Sequence, residues 1–382
     1  MRQIIALSGA LLLAACQMVP KTAAPPAAPP PPPKAEQVPD KTLPTDTARN
    51  RVALLIPLSG PNAAVGQSIA NATTMALLDT KTERLRVTTY DTGTGAAAAA
   101  RRAVMEGNKL ILGPLTAEEV KDVAPVARAA RVPVIGYSND ASVAGNGVYL
   151  LGYAPSQSIS RVVSFARTKG AKNFAALVPK GVYGERAGTA FLSAVKAAGG
   201  TAVGMETFDR SPASVTAAVK RLGARSSYDA LLIADLARIA VQIAPQIRSD
   251  GSPSARILGT ELWNTETNLN ASPALRGAWF ASVSDGLYRT LASKYRTSYG
   301  VTPYRLASLG YDSVLLTVRI AQSWQPGSDF PVARLTDPDG FAGIDGAFRF
   351  DGDSLAQRSL EVQEVDADGI TVVDPAPRGF GK

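Results

Sequence analysis

From Arg51 onward the chain alternates apolar runs of strand length with stretches whose apolar residues recur at helical spacing. The first run, Arg51-Val52-Ala53-Leu54-Leu55-Ile56-Pro57-Leu58, is almost continuously apolar, which suits a strand covered by helices on both faces. Ser59-Gly60-Pro61-Asn62 breaks it. Val65, Ile69, Ala72, Met75 and Leu78 then follow at three- and four-residue steps, the signature of a helix with one buried stripe. The same reading predicts strands at 85–90, 109–112, 132–136 and 148–151, with helices at 62–79, 95–107 and 117–130. Thr116-Ala117-Glu118-Glu119 reads as a capping box opening the third helix. A second series offers helices at 156–169, 183–198, 213–223 and 236–248 between strands at 173–178, 201–207, 228–233 and 256–259. After 277–283 come helices at 286–299 and 306–323, then alternating segments at 346–350, 359–365 and 370–373 that suggest an antiparallel addition. Repeated βα units predict right-wound, mainly parallel sheets and an α/β class.

In such sheets ligands approach the carboxyl ends of the strands. The loops there supply the candidate cleft residues: Ser59, Gly60, Asp91, Thr116, Ser138 and Asn139 in the first half, Tyr183, Asp235, Glu261 and Trp263 in the second. Helix starts suit anions through their free amides. Thr116 also reads as a plain cap with Glu119, and acids at helix starts are common without any ligand.

Composition narrows the chemistry. Among 382 residues there is no histidine and one cysteine, which removes His-based nucleophile systems and most zinc sites. No catalytic residue, metal or cofactor is expected. Ser193-Ala194-Val195-Lys196 has the Ser-x-x-Lys spacing but lies inside a predicted helix with no Lys-Thr-Gly partner. The glycines at 93 and 95 precede an alanine-rich helix, and the next strand ends at Gly113-Pro114 without an acid for a ribose. The formal net charge of +8 is moderate, and no Lys/Arg run interleaves with aromatics, so nucleic acid is not an expected partner.

The amino terminus is different in kind. Arg2 and the apolar stretch Ile4 to Leu13 read as a secretory signal too short to span a bilayer. Leu13-Ala14-Ala15-Cys16 resembles the lipobox of bacterial lipoproteins, which implies cleavage after residue 15 and acylation of Cys16. Gln17, in place of aspartate, implies outer-membrane sorting by the same resemblance. Residues 16–50 are rich in proline, including Pro29 to Pro33, and are expected to stay extended and disordered. At ~3.1 Å per residue such a tether reaches on the order of 100 Å.

The order of elements and several short motifs resemble the type I periplasmic binding proteins, in the branch of the leucine/isoleucine/valine receptors. The landmarks are Leu55-Ile56-Pro57-Leu58-Ser59-Gly60-Pro61, Gly113-Pro114 with Val132-Pro133-Val134-Ile135, Tyr183-Gly184, Gly310-Tyr311-Asp312-Ser313 and Phe348-Arg349-Phe350-Asp351. The resemblance implies a bilobed α/β fold with two doubly wound sheets and three interlobe crossings. These fall near 153, near 284 and within 325–343. The first lobe then holds 51–153 and 285–325, the second 154–284 and 343–374, and 375–382 forms a tail. It further implies that Thr116 and Ser138 hold a ligand carboxylate, that Tyr183 lines the pocket, and that an acid of the second lobe takes an amine. Asn139 and Asp140 depart from the small residues usual in that pocket. With the tether, this chain most resembles the outer-membrane lipoprotein activators of penicillin-binding proteins, whose partner is a peptidoglycan synthase. The alternative is a lipid-anchored receptor delivering an amino-acid-like ligand to an ABC permease. Neither role is enzymatic.

Overall fold

The computed structural model describes residues 48–380 apart from 226, 251, 266–268 and 378. The expected signal peptide, Cys16 and the tether up to residue 47 lie outside the described residues. Residues 46–382 form one compact unit. The buried apolar clusters all lie between Val52 and Val365, so this stretch carries its own cores and folds without the preceding segment.

The first sheet joins β1 (Asn50–Ile56), β2 (Leu85–Asp91), β3 (Leu110–Leu112), β4 (Val134–Gly136) and β5 (Val148–Leu150) in the order β2-β1-β3-β4-β5. Every pairing is parallel. Alternation along β1 sends Val52, Leu54 and Ile56 to one face and Ala53 and Leu55 to the other, and each set joins a separate core. Helices α1 (Ala63–Thr80), α2 (Ala96–Met105) and α3 (Ala117–Ala129) connect these strands.

The second sheet is built likewise. α4 (Pro155–Thr168), β6 (Asn173–Pro179), α5 (Val182–Ala197), β7 (Thr201–Phe208), α6 (Pro212–Arg225), β8 (Ala230–Ile233), α7 (Ala237–Asp250), β9 (Arg256–Gly259) and β10 (Trp279–Ser282) follow in sequence. The chain then returns to the first lobe through α8 (Gly286–Tyr299) and α9 (Ala307–Ala321). Helices α1 and α9 sit so close that a Cβ on Gly310 would lie 2.7 Å from the Ile69 carbonyl oxygen; glycine is what permits that approach. A small antiparallel sheet comes next, of β11 (Phe341–Gly343), β12 (Gly346–Phe350) and β13 (Ala356–Arg358). Finally β14 (Glu361–Val365) adds antiparallel to β10 and β15 (Ile370–Asp374) antiparallel to β14, completing the order β15-β14-β10-β9-β8-β6-β7.

Packing revises two expectations. Phe341, Phe348, Phe350 and Ala356 join the core of the first lobe with Leu309 and Leu316 of α9. The segment 343–358 therefore belongs with the first lobe, and the third crossing falls at Ser359 and Leu360, between β13 and β14, instead of within 325–343. A period-two pattern marks a strand without saying which sheet buries it. Leu78 leaves the α1 stripe and is 69% exposed, because three-residue steps drift off a 3.6-residue period.

Candidate functional site

The loops at the carboxyl ends of the strands face one another between the lobes. In the first lobe two of them are tied together by Asp91. Its Oδ1 accepts from the amides of Leu58 at 2.7 Å and Gly93 at 2.8 Å. Burial works to raise this carboxyl, but those bonds and the ones from Ser59 outweigh it and hold the pKa below its usual value. Asp91 is thus a brace for the Ser59-Gly60 turn, and Gly60 supplies the positive φ of 78° that the turn requires.

At the start of α3 the expected capping box is present. Glu119 N donates to Thr116 Oγ1 at 3.3 Å, and the Glu119 carboxylate accepts from Thr116 N at 2.9 Å. The same carboxylate accepts from Thr92 Oγ1. Two loops and a helix start are satisfied internally, with a carboxylate where the resemblance implies a ligand's carboxylate.

The next loop crosses the cleft. Ser138 is buried and its Oγ accepts from Asp140 N at 3.1 Å, while Asn139 points out to solvent. Asp140 is buried, takes two bonds from Ser142, and accepts from Arg186 Nη2 on α5 at 2.5 Å. Desolvation would raise this carboxyl; the Ser142 bonds and the Arg186 charge lower it. Arg186–Asp140 is therefore an ion pair from one lobe to the other. It bounds an open cleft of about 380 Å³ that Thr116, Ser138, Asn139 and Tyr183 also line.

Tyr183 and Glu261 lie in the second lobe. The Tyr183 hydroxyl is 3.2 Å from Thr260 Oγ1 and donates to Glu261 Oε1 at 3.3 Å; burial drives its pKa well above the usual value. Glu261 also accepts from Ser158 on α4. Burial raises its carboxyl from 4.5 to about 7, against the bond from Ser158. A carboxyl raised in the folded state binds more protons there than in the unfolded chain. Its contribution to stability is full below about 4.5 and is lost as pH rises through about 7. Glu261→Gln is expected to match the parent in urea unfolding at acidic pH and to exceed it above neutrality, by on the order of 3 kcal/mol. Parallel pH profiles for the two proteins would refute this.

Asp235 and Trp263 do not reach the cleft. Asp235 has no exposed surface and is clamped by Arg210, Nε to Oδ2 at 2.9 Å and Nη2 to Oδ1 at 3.0 Å. Trp263 is fully buried in the α6/α7 side of the second core, and its Nε1 donates to the Asp235 carbonyl at 3.0 Å. The sequence position after a strand is right for both, but the side chains turn inward.

At the crossings is a partly open cavity of about 260 Å³, lined by Tyr137, Tyr153, Leu262, Leu306 and Leu360 together with Glu261, Arg305 and Arg358. The two arginines belong to a buried charge cluster. Arg305 Nη1 lies 2.6 Å and Arg358 Nη1 3.9 Å from the two oxygens of Asp345, which Ser308 bonds at 2.8 Å and Tyr153 also bonds. Arg358 donates to the Leu151 carbonyl at 2.6 Å, and Gln157 of α4 bonds both Ala356 O at 2.8 Å and Arg358 N at 2.9 Å. The cluster binds two crossings to each other. Reading the sequence missed it, since Arg305, Asp345 and Arg358 belong to no motif and meet only through the fold. Among the described residues no cluster of metal-ligating side chains occurs, and no helix is long and apolar enough to cross a membrane.

The family model for periplasmic binding proteins matches residues 50–369. A putative branched-chain amino acid ABC transporter protein from Rhodospirillum rubrum aligns with 85% of this chain and 100% of its own, with a TM-score of 0.73 and 19% identity. Full-length LpoA from Haemophilus influenzae aligns with 86% of this chain but 59% of its own, with a TM-score of 0.66 and 19% identity. An uncharacterized protein of Rickettsia prowazekii is 30% identical over 136 residues, so the match spans 36% of that protein and 35% of this chain.

Proposed function

This chain belongs to the periplasmic binding protein family, and from that premise we propose that it is an outer-membrane lipoprotein whose bilobed domain docks on a peptidoglycan synthase and stimulates it, as penicillin-binding protein activators do. The family is one of extracytoplasmic binding proteins, and the role is recognition without chemistry. One observation carries the reading: the cleft is bridged by the chain's own charges. Asp140 reaches Arg186 across the opening, and the Glu119 carboxylate occupies the start of α3. The Glu119 carboxylate already accepts the amide at the start of α3 where a ligand's carboxylate would sit, and the Asp140–Arg186 pair uses up the cation that would draw one in. What remains for recognition is the outer surface of the lobes. The alignment with LpoA, in which the shared fold is part of a longer chain, supports the same reading.

The mechanism is a population shift. A long tether raises the local concentration of the domain near its partner, and contact favours the synthase conformation with the higher affinity for it. Residues 46–382 added to a purified, reconstituted synthase are expected to bind it and raise glycan polymerisation or crosslinking. Unchanged rates with no binding would overturn the proposal.

The cleft of about 380 Å³ that Thr116 and Tyr183 line favours a second reading, a receptor for a small amino-acid-like ligand. That reading expects a thermal shift with such a ligand, lost in Thr116→Ala or Tyr183→Ala. A flat response across the common amino acids excludes it.

The bridge itself is testable. Arg186 is 34% exposed, so its pair with Asp140 is worth no more than about 1 kcal/mol. Arg186→Ala is expected to speed amide exchange at 138–142 and at the start of α5 by roughly fivefold, the equivalent of that energy. Unchanged exchange in both segments would show that the pair does not hold the cleft.

A further inference from the structure

We propose that the pole of the first lobe opposite the cleft is a docking face for an anionic phospholipid bilayer. In βα units the helices run back against the strands, so strand starts and helix ends share one edge. The backbone places that edge directly: Asn50 N donates to Arg84 O at 2.8 Å, Lys109 N to Arg51 O at 2.9 Å, and Ile111 N to Pro133 O at 3.0 Å. From β2 to β4 this row is three strand spacings wide, roughly 15 Å.

The edge carries Lys81, Arg84, Arg101, Arg128 and Arg131, all exposed, and none has an ion pair among the described residues. The acids nearby are mostly engaged. Glu106 is held by Arg102 at 2.8 Å and Asp329 by Lys109 at 2.8 Å, which leaves Glu83. Two large apolar side chains stand out of the same pole: Leu78 at the end of α1 is 69% exposed and Met105 at the end of α2 is 85% exposed.

An excess of cations around protruding apolar side chains matches a bilayer interface. The cations meet lipid phosphates while the apolar groups enter the boundary of headgroup and acyl chain. A nucleic acid would call for aromatic platforms, and no aromatic residue stands among these exposed side chains. A protein partner would call for a broader apolar centre than two separated side chains. The point of chain entry agrees. β1 begins at Asn50 on this edge, so whatever precedes residue 48 attaches here, and a lipid anchor upstream would deliver this face to the membrane that holds it. The face itself rests on described residues alone and stands apart from the docking role proposed above.

The test uses residues 46–382, which lack the anchor, co-sedimented with phosphatidylcholine vesicles with and without phosphatidylglycerol. Binding is expected only with phosphatidylglycerol, and it should weaken as salt rises. Arg84→Glu/Arg128→Glu/Arg131→Glu is expected to cut partitioning on the order of 100-fold, at about fivefold per lost cation. Met105→Ser should weaken it severalfold, and Lys220→Glu on α6 should leave it unchanged, all with the parent's unfolding midpoint. No binding to anionic vesicles overturns the proposal, as does equal binding by the triple variant or an equal loss in Lys220→Glu. Loss of binding to murein sacculi alone, with vesicle binding intact, would assign the face to an anionic polymer and also overturn it.

Discussion

Asp345→Ala is expected to cost 3–5 kcal/mol in urea unfolding, on the order of half of a typical domain's stability. Asp345 has no exposed surface, and the side chains of Arg305 and Arg358 are 7% and 2% exposed. Burying three ions is expensive, and their mutual attraction offsets it only while all are present. Removing the acid leaves two buried guanidinium groups, Arg305 with Asp285 at 3.7 Å and Arg358 against the Tyr153 ring at 4.8 Å. Asp345→Asn keeps most of the shape and can still accept from Ser308 and Tyr153. A loss nearly as large as for alanine would therefore assign the effect to charge; a loss under about 1 kcal/mol would refute the cluster as the lock of the crossings.

A second readout follows from Asp312. Burial first, and then the charge of Asp345, raise its carboxyl to about 7. Its contribution to stability is thus full at acidic pH and is lost as pH rises through about 7. Without Asp345 one of the two causes disappears, the folded-state pKa falls, and the window of declining stability moves to lower pH. An unchanged pH profile in Asp345→Asn would contradict the coupling.

Most of the fold was legible because it is written in local periodicity. The helix expected at 286–299 is α8 at Gly286–Tyr299, and the strand expected at 256–259 is β9 at Arg256–Gly259. Thr116 and Glu119 form the capping box their spacing announces. Illegible were β11 and β13, whose Phe-Ala-Gly and Ala-Gln-Arg sequences lack the apolar run that marks the equally short β3, Leu-Ile-Leu. The lobe that buries Phe341 and Phe348 was also hidden, since an apolar side chain does not name its neighbour. The cleft was legible as a set of loops and not as a set of side chains. Asn139, Thr116 and Tyr183 do line it, whereas the two features that decide its chemistry, Arg186 reaching Asp140 and the Arg305–Asp345–Arg358 cluster, join residues 46 positions apart or wholly separate segments. Such pairings exist only once the chain is folded.

The position of Trp263 yields the second large expectation, because it separates a core residue from a cleft residue. Trp263→Ala is expected to cost 3–5 kcal/mol, the range for a fully buried large aromatic. The indole has no exposed surface, lies 5.9 Å from the Phe280 ring, and donates from Nε1 to the Asp235 carbonyl at 3.0 Å. Truncation would empty the centre of a core that includes Ile233, Ile243 and Leu275 and would leave that carbonyl without its donor. Gly259 supplies an independent probe of the same ring. A Cβ there would fall 2.3 Å from the indole, so Gly259→Ala must displace the ring and should also destabilise, by about 1–3 kcal/mol. The two substitutions act on one contact and should be non-additive, with the double variant losing less than the sum. A cleft-lining tryptophan predicts the reverse pattern: little change in the unfolding midpoint for either variant, strict additivity, and a change confined to partner or ligand binding. Urea titrations of the two single variants and the double variant decide between these arrangements, since only an indole packed on Gly259 gives coupled losses.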